Sequence, residues 1–375
     1  MEYRKFGDKV DFKVSALGFG SMRFPYLEDG QVDEAEAIRM VRHAIDNGVN
    51  YVDTAYMYHN GLSEVIVGKA LKEGYRAKTK IATKAPVFYM KKADDFEMFL
   101  EEQLGRLDDA FIDFYLLHAL SKDRWEKVIL KYDVLKRMER AKAEGKIGSI
   151  GFSYHDSDFS RFKEIVDGYE GWDFCQIQLN YLDMENQAGV EGLRYAASKG
   201  LGVIIMEPLL GGSLANPPEA VRKVFATAEV CSERTPVEWA LDFLWDMPEV
   251  SLLLSGMSSM QQTKDNLLYA GRSKVNMLSD QEKTVIAKVQ ETYKDLVLVP
   301  CTKCQYCMPC PFGVEIPQVF EAYNKSASYT KGEASSLYKN LTGKADQCAV
   351  CKKCEKMCPQ KIEISSKMKE IAAFF

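Results

Sequence analysis

The sequence predicts a closed (β/α)8 barrel followed by a small, α-helical, cysteine-rich domain. Three observations lead there. Eight short apolar runs alternate with longer segments of helical period between about residues 15 and 270. That alternation stops near residue 298, where LVLVP leads into sequence with little apolar content. Eight of the ten cysteines fall in the last fifth of the chain.

The eight runs are SALGFG (15–20), YVDTA (51–55), KIATKA (80–85), IDFYLLH (112–118), IGSIGFS (147–153), FCQIQLN (174–180), GVIIMEP (202–208) and VSLLLSG (250–256). Their nearly continuous apolar character suits parallel strands buried on both faces. Between them the period changes. In 33–47, Ile38, Val41 and Ile45 share one helical face, Asp33 with Glu36 makes a capping-box-like start, and Gly48 is a C-terminal stop. In 94–107, Phe96, Phe99, Leu100, Leu104 and Leu107 repeat at spacings of three and four. Two further helices are expected at 259–270 and 279–293. An open, doubly wound sheet is the competing architecture, but no GxGxxG follows the first strand. The first dozen residues are expected to form a hairpin plugging the barrel bottom. Residues 1–295 then form the barrel domain. Residues 296–375 form a second domain too small to hold together on an apolar core alone, the kind that needs metals or disulfides.

Composition narrows the function. The 375 residues carry a net charge of −5, which favours neither nucleic acid nor an anionic membrane as partner. No apolar run approaches the roughly 20 residues of a membrane span. MEYRKFGDKV has no apolar signal core, so a cytoplasmic location is expected. In such a compartment clustered CxxC units indicate metal binding rather than disulfides.

In a barrel of this kind the catalytic groups sit at the C-terminal ends of the strands. Asp53 follows the second run, Lys84 ends the third, His118 ends the fourth, and Tyr58 lies in the loop after the second. Any one of them alone would read as a cap or a satisfied core residue. Together they have a coherent chemistry. A phenol ionises near pH 10 and is a poor acid or base at neutrality. A neighbouring ammonium lowers that value, so Lys84 is expected to tune Tyr58, with Asp53 holding Lys84 in place. His118 would orient a substrate oxygen. Such a site handles a carbonyl or an alcohol and needs a hydride carrier that side chains cannot supply.

DTAYMY (53–58), the TK of IATKA (83–84), IDFYLLH, EGKIGSIGFS (144–153) and DNLLYA (265–270) resemble, in order, the motifs of the aldo-keto reductase family. The resemblance covers residues 1–295. It implies a (β/α)8 barrel, a nicotinamide cofactor, and a tetrad of Asp53, Tyr58, Lys84 and His118 with the tyrosine as proton donor. It also implies cofactor contacts from Gly20, Ser21 and Met22 after the first strand, and from Ser153 and Gln176 at the carboxamide. Met206 stands where an aromatic ring stacks on the nicotinamide, and Tyr154 where the family has asparagine. PLLGG (208–212) resembles the pyrophosphate loop, with Pro208, Leu209 and Gly211. SGMSSMQQTKDN (255–266) resembles the adenosine-phosphate segment, with Gly256, Met257, Ser258, Gln262 and Asn266. No Arg or Lys occurs from 255 to 263, so NADP(H) and NAD(H) both stay open, with family grounds leaning to NADPH. Ser258 and Ser259 would serve a phosphate or a ribose hydroxyl. His59, Leu120, Trp125 and Tyr154 are candidates for substrate contact, with loop packing the alternative for each.

Cys301, Cys304, Cys307 and Cys310 are spaced by two residues and followed by Pro311; Cys348, Cys351, Cys354 and Cys358 have gaps of two, two and three and are followed by Pro359. The second run is the bacterial ferredoxin spacing, and the first departs from it by one residue. Two triplets with two Cys-Pro ends favour iron–sulfur over zinc, whose four-thiolate sites need only two CxxC pairs. Together the runs resemble a two-cluster ferredoxin module over 296–375. By that family's rule Cys301, Cys304, Cys307 and Cys358 hold one [4Fe–4S] cluster, and Cys348, Cys351, Cys354 and Cys310 the other. Cys175 and Cys231 are expected to be packing residues.

Three readings follow. The chain is a nicotinamide-dependent carbonyl reductase with structural or regulatory clusters. Alternatively, the clusters exchange electrons with a ferredoxin or another redox partner. As a third reading, the barrel is a degraded scaffold for an electron carrier; the intact tetrad argues against it.

Overall fold

The structure is a computed structural model. It describes residues 1–375 apart from 157, 158, 229, 231, 232, 302, 303, 329 and 330, so Cys231 lies outside the described residues. The chain divides into two compact units: Met1–Gly211 with Val237–Ser279, and Gly212–Pro236 with Asp280–Phe375.

The first unit opens with an antiparallel pair, β1 (Tyr3–Lys5) and β2 (Lys13–Ser15). Eight parallel strands follow: β3 (Leu17–Gly20), β4 (Tyr51–Asp53), β5 (Lys80–Ala85), β6 (Ile112–Leu120), β7 (Ile147–Tyr154), β8 (Phe174–Gln178), β9 (Gly202–Met206) and β10 (Leu252–Gly256). They pair in sequence order, and β10 pairs with β3 to close the barrel. Each expected run supplies one strand. The register brings Gly256 beside Gly20 and Gly20 beside Asp53, and further round the barrel Ser153 beside Gln176. Between β6 and β7 the register shifts after Leu117. Ala119 there takes a left-handed φ of 53°, a local irregularity that turns the chain just past His118.

The helical patterns also materialise. Helix Glu34–Asp46 buries Ala37, Met40, Val41, Ala44 and Ile45, and the Asp33 side chain caps it by accepting from the Glu36 amide at 3.0 Å. Helix Asp95–Leu107 buries its five patterned apolar residues. Helix Met260–Ala270 starts at Ser259, whose hydroxyl accepts from the Gln262 amide at 3.3 Å.

The expected plug is real. Phe6, just after β1, is fully buried with Tyr51, Phe114, Phe174, Ile204 and Leu252 in the barrel interior. Its ring lies 4.9 Å from Phe114 and 5.8 Å from Phe174. Gly202 on β9 makes room for it: a Cβ there would stand 2.7 Å from the Phe6 ring.

The second unit is built on helices Glu219–Ala226, Asp280–Asp295, Ile316–Ser328, Lys331–Lys339, Lys353–Met357 and Ile364–Phe374. Its core is small: Val299, Val314, Ile316, Val319, Phe320, Ile364, Met368 and Ile371 are central, with six of the cysteines packed at its edge. Helix Asp280–Asp295 groups here with residues 212–236, whereas the expected boundary lay at 295/296. An Arg234–Glu282 ion pair at 2.9 Å ties those two segments together. Among the described residues no helix is long and apolar enough to cross a membrane.

Removing the plug ring would leave a cavity inside the barrel. Phe6→Ala is expected to lower unfolding free energy by about 3–5 kcal/mol, the usual cost of truncating a buried phenylalanine. Urea denaturation of the full chain measures it.

Candidate functional site

Lys84, on β5, is fully buried. Its ammonium donates to Asp53 Oδ1 at 2.6 Å and to the Thr54 carbonyl at 2.7 Å, so both acceptors come from the end of β4. The same Nζ lies 5.0 Å from the centre of the Tyr58 ring. The Tyr58 and His118 rings meet edge to face with centroids 6.2 Å apart. The structure therefore brings the four sequence-derived residues into one cluster at the mouths of β4, β5 and β6.

Burial pulls the Lys84 pKa down, but the Asp53 carboxylate and Tyr58 outweigh it and leave it above its ordinary value. Lys84 is a fixed cation. For Tyr58 the balance differs from the expectation. Desolvation is the largest effect and raises its pKa; Lys84 opposes it, and Asp53 and Glu207 add to it. The net direction is upward, so the phenol is held protonated at neutral pH. His118 is pushed well below its usual range, first by burial and then by the Lys84 charge. Its imidazole is neutral. Asp53 Oδ2, His118 Nδ1 and Gln176 Oε1 are buried without a hydrogen-bond partner in the structure. Three buried polar atoms left unsatisfied around one barrel mouth are the signature of a ligand site.

The loop carrying Tyr58 turns sharply. His59 and Asn60 have φ of 50° and 56°, in the left-handed region, followed by Gly61 at 90°. His59 holds this turn. Its Nε2 accepts from the Phe24 amide at 3.3 Å and its Nδ1 bonds the Tyr26 hydroxyl at 3.0 Å. Of the substrate-contact candidates, then, His59 is a loop fastener. Leu120, Trp125 and Tyr154 are buried in the main core, with Trp125 against Trp172 and Tyr154 against Phe162. All four make the packing or loop contacts that were the alternative to substrate contact. Phe88 was not anticipated; it stands 5.4 Å from the His118 ring, with the Arg124 guanidinium 5.6 Å from its own.

A second unanticipated feature underlies Lys84. Glu64, in helix Leu62–Ala70, is fully buried. Its Oε1 accepts from Thr83 Oγ1 and Gln103 Nε2, both at 2.6 Å, and Oε2 accepts from Arg106 at 3.2 Å. Gln103 Nε2 also donates to the Lys84 carbonyl at 3.1 Å. Neighbouring Ser63 bonds Thr54 Oγ1 at 2.8 Å and Ser21 Oγ at 2.7 Å. The start of this helix thus fastens the ends of β4 and β5 and the turn after β3, the backbone from which the tetrad projects. The signal was available: Ser63 and Glu64 are polar residues directly before the apolar run Val65–Val67.

The residues carried over for a dinucleotide lie at consecutive strand ends. Gly20 ends β3 and Ser21 and Met22 follow it; Ser153 and Gln176 lie on β7 and β8; Met206 ends β9, with Pro208, Leu209 and Gly211 beyond; Gly256 ends β10. Ser153 Oγ accepts from the Ala119 amide at 2.7 Å. Gln262 Oε1 accepts from the Ser258 amide at 2.8 Å, and Asn266 donates to Ser255 Oγ at 2.9 Å. Buried Met257 anchors that loop. A cation does lie beside these segments: a Cβ on Gly256 would stand 3.2 Å from the Arg23 side chain, and one on Gly211 3.4 Å from its guanidinium. Arg23, the basic residue of the turn after β3, is exposed.

In the second unit the cysteines frame two cavities. Cys301, Cys304, Cys307 and Cys358 line one. Cys310, Cys348, Cys351 and Cys354 line another. Each takes three thiols from one run and one from the other. Among the described residues no group of three His, Cys, Asp or Glu side chains is arranged to hold a single metal ion. Four thiols spread around one pocket suit the corners of a cubane. Cys175 is buried in β8, away from both sets, and burial raises its thiol pKa.

A closed parallel barrel with a buried Lys–Asp–Tyr–His cluster at its C-terminal mouth defines an oxidoreductase-type barrel. The chain belongs to the aldo/keto reductase family, whose model matches residues 16–291. The model of a 4Fe-4S dicluster domain matches residues 300–363. L-galactose dehydrogenase of Arabidopsis thaliana is 28% identical over 71% of this chain and 87% of its own length. The NADH-specific methylglyoxal reductase of Escherichia coli is 28% identical over 75% of this chain and 96% of its own length. Aldo-keto reductase AKR11C1 from Bacillus halodurans superposes with a TM-score of 0.62 at 25% identity, covering 77% of this chain and 96% of that one. An aldo-keto reductase from Klebsiella pneumoniae in complex with NADPH superposes equally well at 23% identity.

The depressed His118 pKa has a consequence for stability. Unfolded, histidine takes up a proton near pH 6.5; folded, His118 does not until well below that. Below about pH 6.5 the unfolded state binds the extra proton, so stability falls as pH drops, by at most about 1.4 kcal/mol per pH unit. Denaturation between pH 7 and 5 is expected to show this slope in the wild type, and a shallower one in His118→Phe.

Proposed function

We propose that this chain is a nicotinamide-dependent oxidoreductase that reduces a carbonyl to an alcohol, or runs the reverse, with Tyr58 as proton donor. The observation that carries this is the fixed Lys84 cation beside a phenol that stays protonated. In this reading the C=O oxygen sits between the Tyr58 hydroxyl and the His118 imidazole. Neutral His118 donates a hydrogen bond that orients it. Negative charge grows on that oxygen as the carbonyl carbon is reduced, and Tyr58 transfers its proton there. Lys84 stabilises the phenolate left behind, and Asp53 balances Lys84. In the oxidising direction Tyr58 must first lose its proton, so its raised pKa favours reduction near neutrality.

The nicotinamide, when bound, supplies the hydride. Gln176 Oε1, a buried acceptor without a donor, fits the amide hydrogens of a carboxamide, and Ser153 is its neighbour in register. Met206 would lie against the ring. Gly20, Ser21 and Met22 would border it, Pro208, Leu209 and Gly211 would take the pyrophosphate with Arg23, and Gly256, Met257, Ser258, Gln262 and Asn266 the adenosine end. The amino end of helix Met260–Ala270 favours an anion there. NADP(H) and NAD(H) are both within the family range, since one relative is named NADH-specific and one structural neighbour is a complex with NADPH; family grounds favour NADPH.

Residues 1–295 are proposed as the reductase domain and 296–375 as the iron–sulfur domain. It would hold two [4Fe–4S] clusters, one on Cys301, Cys304, Cys307 and Cys358 and one on Cys348, Cys351, Cys354 and Cys310. Each cluster, when present, stores a single electron. Hydride transfer moves two at once, so the clusters stand outside the carbonyl chemistry unless a one-electron carrier intervenes. The proposed setting is cytoplasmic.

Tyr58→Phe is expected to lower kcat/KM for carbonyl reduction by about 10²–10⁴-fold, the range for loss of a general acid, with NADPH affinity by fluorescence titration unchanged. Full activity in that variant would overturn the assignment. Protein purified without oxygen is expected to carry about eight irons and eight sulfides per chain, as two cubanes require; zinc in their place would defeat the cluster reading.

A further inference from the structure

We propose that the loop around the second cysteine run, residues 348–361, is a docking face for a small acidic one-electron carrier protein. This inference rests on the reading that the thiol cavities hold iron–sulfur clusters.

The face is defined by exposure, charge and proximity. Cys351 is an exposed thiol. Lys352, the next residue, lines the cavity formed by Cys310, Cys348, Cys351 and Cys354, and so does Phe312, 48% exposed. Val350 and Met357 are 56% and 60% exposed. Lys352, Lys353, Lys356 and Lys361 are all exposed. The only carboxylate in residues 348–361 is Glu355. It is already engaged, accepting from the Ser365 amide at 2.9 Å and the Ser365 hydroxyl at 2.5 Å. The backbone of this segment turns through left-handed φ at Val350 (56°), Lys352 (58°) and Lys361 (52°).

A few apolar contacts ringed by like charges make the interface of a transient complex, in which charge complementarity sets the encounter rate. The complement here is negative. Residues 296–375 hold eleven lysines, no arginine and seven carboxylates, in a chain whose net charge is −5. The basic character is local, and it surrounds the edge where a thiol is exposed. A carrier seated on these lysines would place its own centre close to the one held by Cys348, Cys351, Cys354 and Cys310. One electron then passes between the two centres. One is oxidised and the other reduced by that electron, with no bond broken and no proton moved.

The test uses cluster-replete full-length chain, prepared without oxygen. Binding of a purified acidic two-cluster ferredoxin is measured by calorimetry at 20 and 300 mM salt. Cytochrome c, a basic one-electron carrier, is the control. Binding of the ferredoxin is expected to weaken about tenfold or more with that rise in salt. It should weaken to a similar degree in the Lys353→Glu/Lys356→Glu/Lys361→Glu triple variant. The corresponding Lys→Arg triple variant should bind as the wild type does, as should Lys13→Glu/Lys131→Glu/Lys136→Glu on the barrel unit. Iron and sulfide content and NADPH-dependent carbonyl reduction should be unchanged throughout. Undiminished ferredoxin binding in the charge-reversed triple variant would overturn the proposal, as would equal binding of cytochrome c. So would a wild-type dimer that the reversal splits, since a second copy would then cover this face. The two readings fail differently: wild-type protein lacking iron defeats the cluster assignment, whereas iron-replete protein that does not bind ferredoxin defeats only the docking face.

Discussion

The barrel mouth depends on one buried cation. The Lys84 ammonium is buried and donates its hydrogen bonds to the Asp53 carboxylate and the Thr54 carbonyl. Removing one partner of a buried pair leaves an uncompensated charge, at a cost of about 3–5 kcal/mol. The chain is therefore held to a single arrangement of β4 against β5. The rest follows from that. The parallel register between β4 and β5 sets the two partners at neighbouring strand ends. The clamp from Glu64, Gln103 and Ser63 fixes the backbone on the far side. The tight turn at His59–Gly61 returns Tyr58 to the cation it must face.

A sequence shows which groups are near a strand end, but not how much water each keeps. The four tetrad residues were legible because each ends or follows an apolar run, and because their chemistries complete one another. The direction of the Tyr58 pKa was not, because it is a contest between desolvation and the Lys84 charge, and burial depth decides it. The same difficulty explains His59, Leu120, Trp125 and Tyr154. Large side chains near strand ends suggest a substrate pocket, yet these found partners in the core and in the Phe24–Tyr26 segment. Arg23 was missed for a different reason. Residues 255–263 contain no Arg or Lys, whereas barrel closure between β10 and β3 brings Arg23, from near the start of the chain, beside Gly256.

The strands were the easiest part to read, since residues buried on both faces leave continuous apolar runs. The hairpin was legible as an expectation, and the structure supplied its reason in Phe6, which fills a space that the strands alone leave open. The limits of the second unit were less accessible. Spacing among cysteines identifies the ligand runs. The grouping of residues 212–236 with helix Asp280–Asp295 depends on contacts such as Arg234–Glu282, which have no sequence period.

The interleaving of the two cysteine runs bears on how the second unit comes into being. Each cavity borrows one thiol from the opposite run, so whatever occupies a cavity is a crosslink between distant points of the chain. A crosslink removes freedom from the unfolded ensemble, and a first one shortens the loop that a second must close. Two interlocked crosslinks of this kind are mutually reinforcing. Filling either cavity preorganises one thiol of the other, and emptying either returns that thiol to a floppy strand. With so few buried apolar side chains to fall back on, such a unit is suited to being assembled whole or not at all.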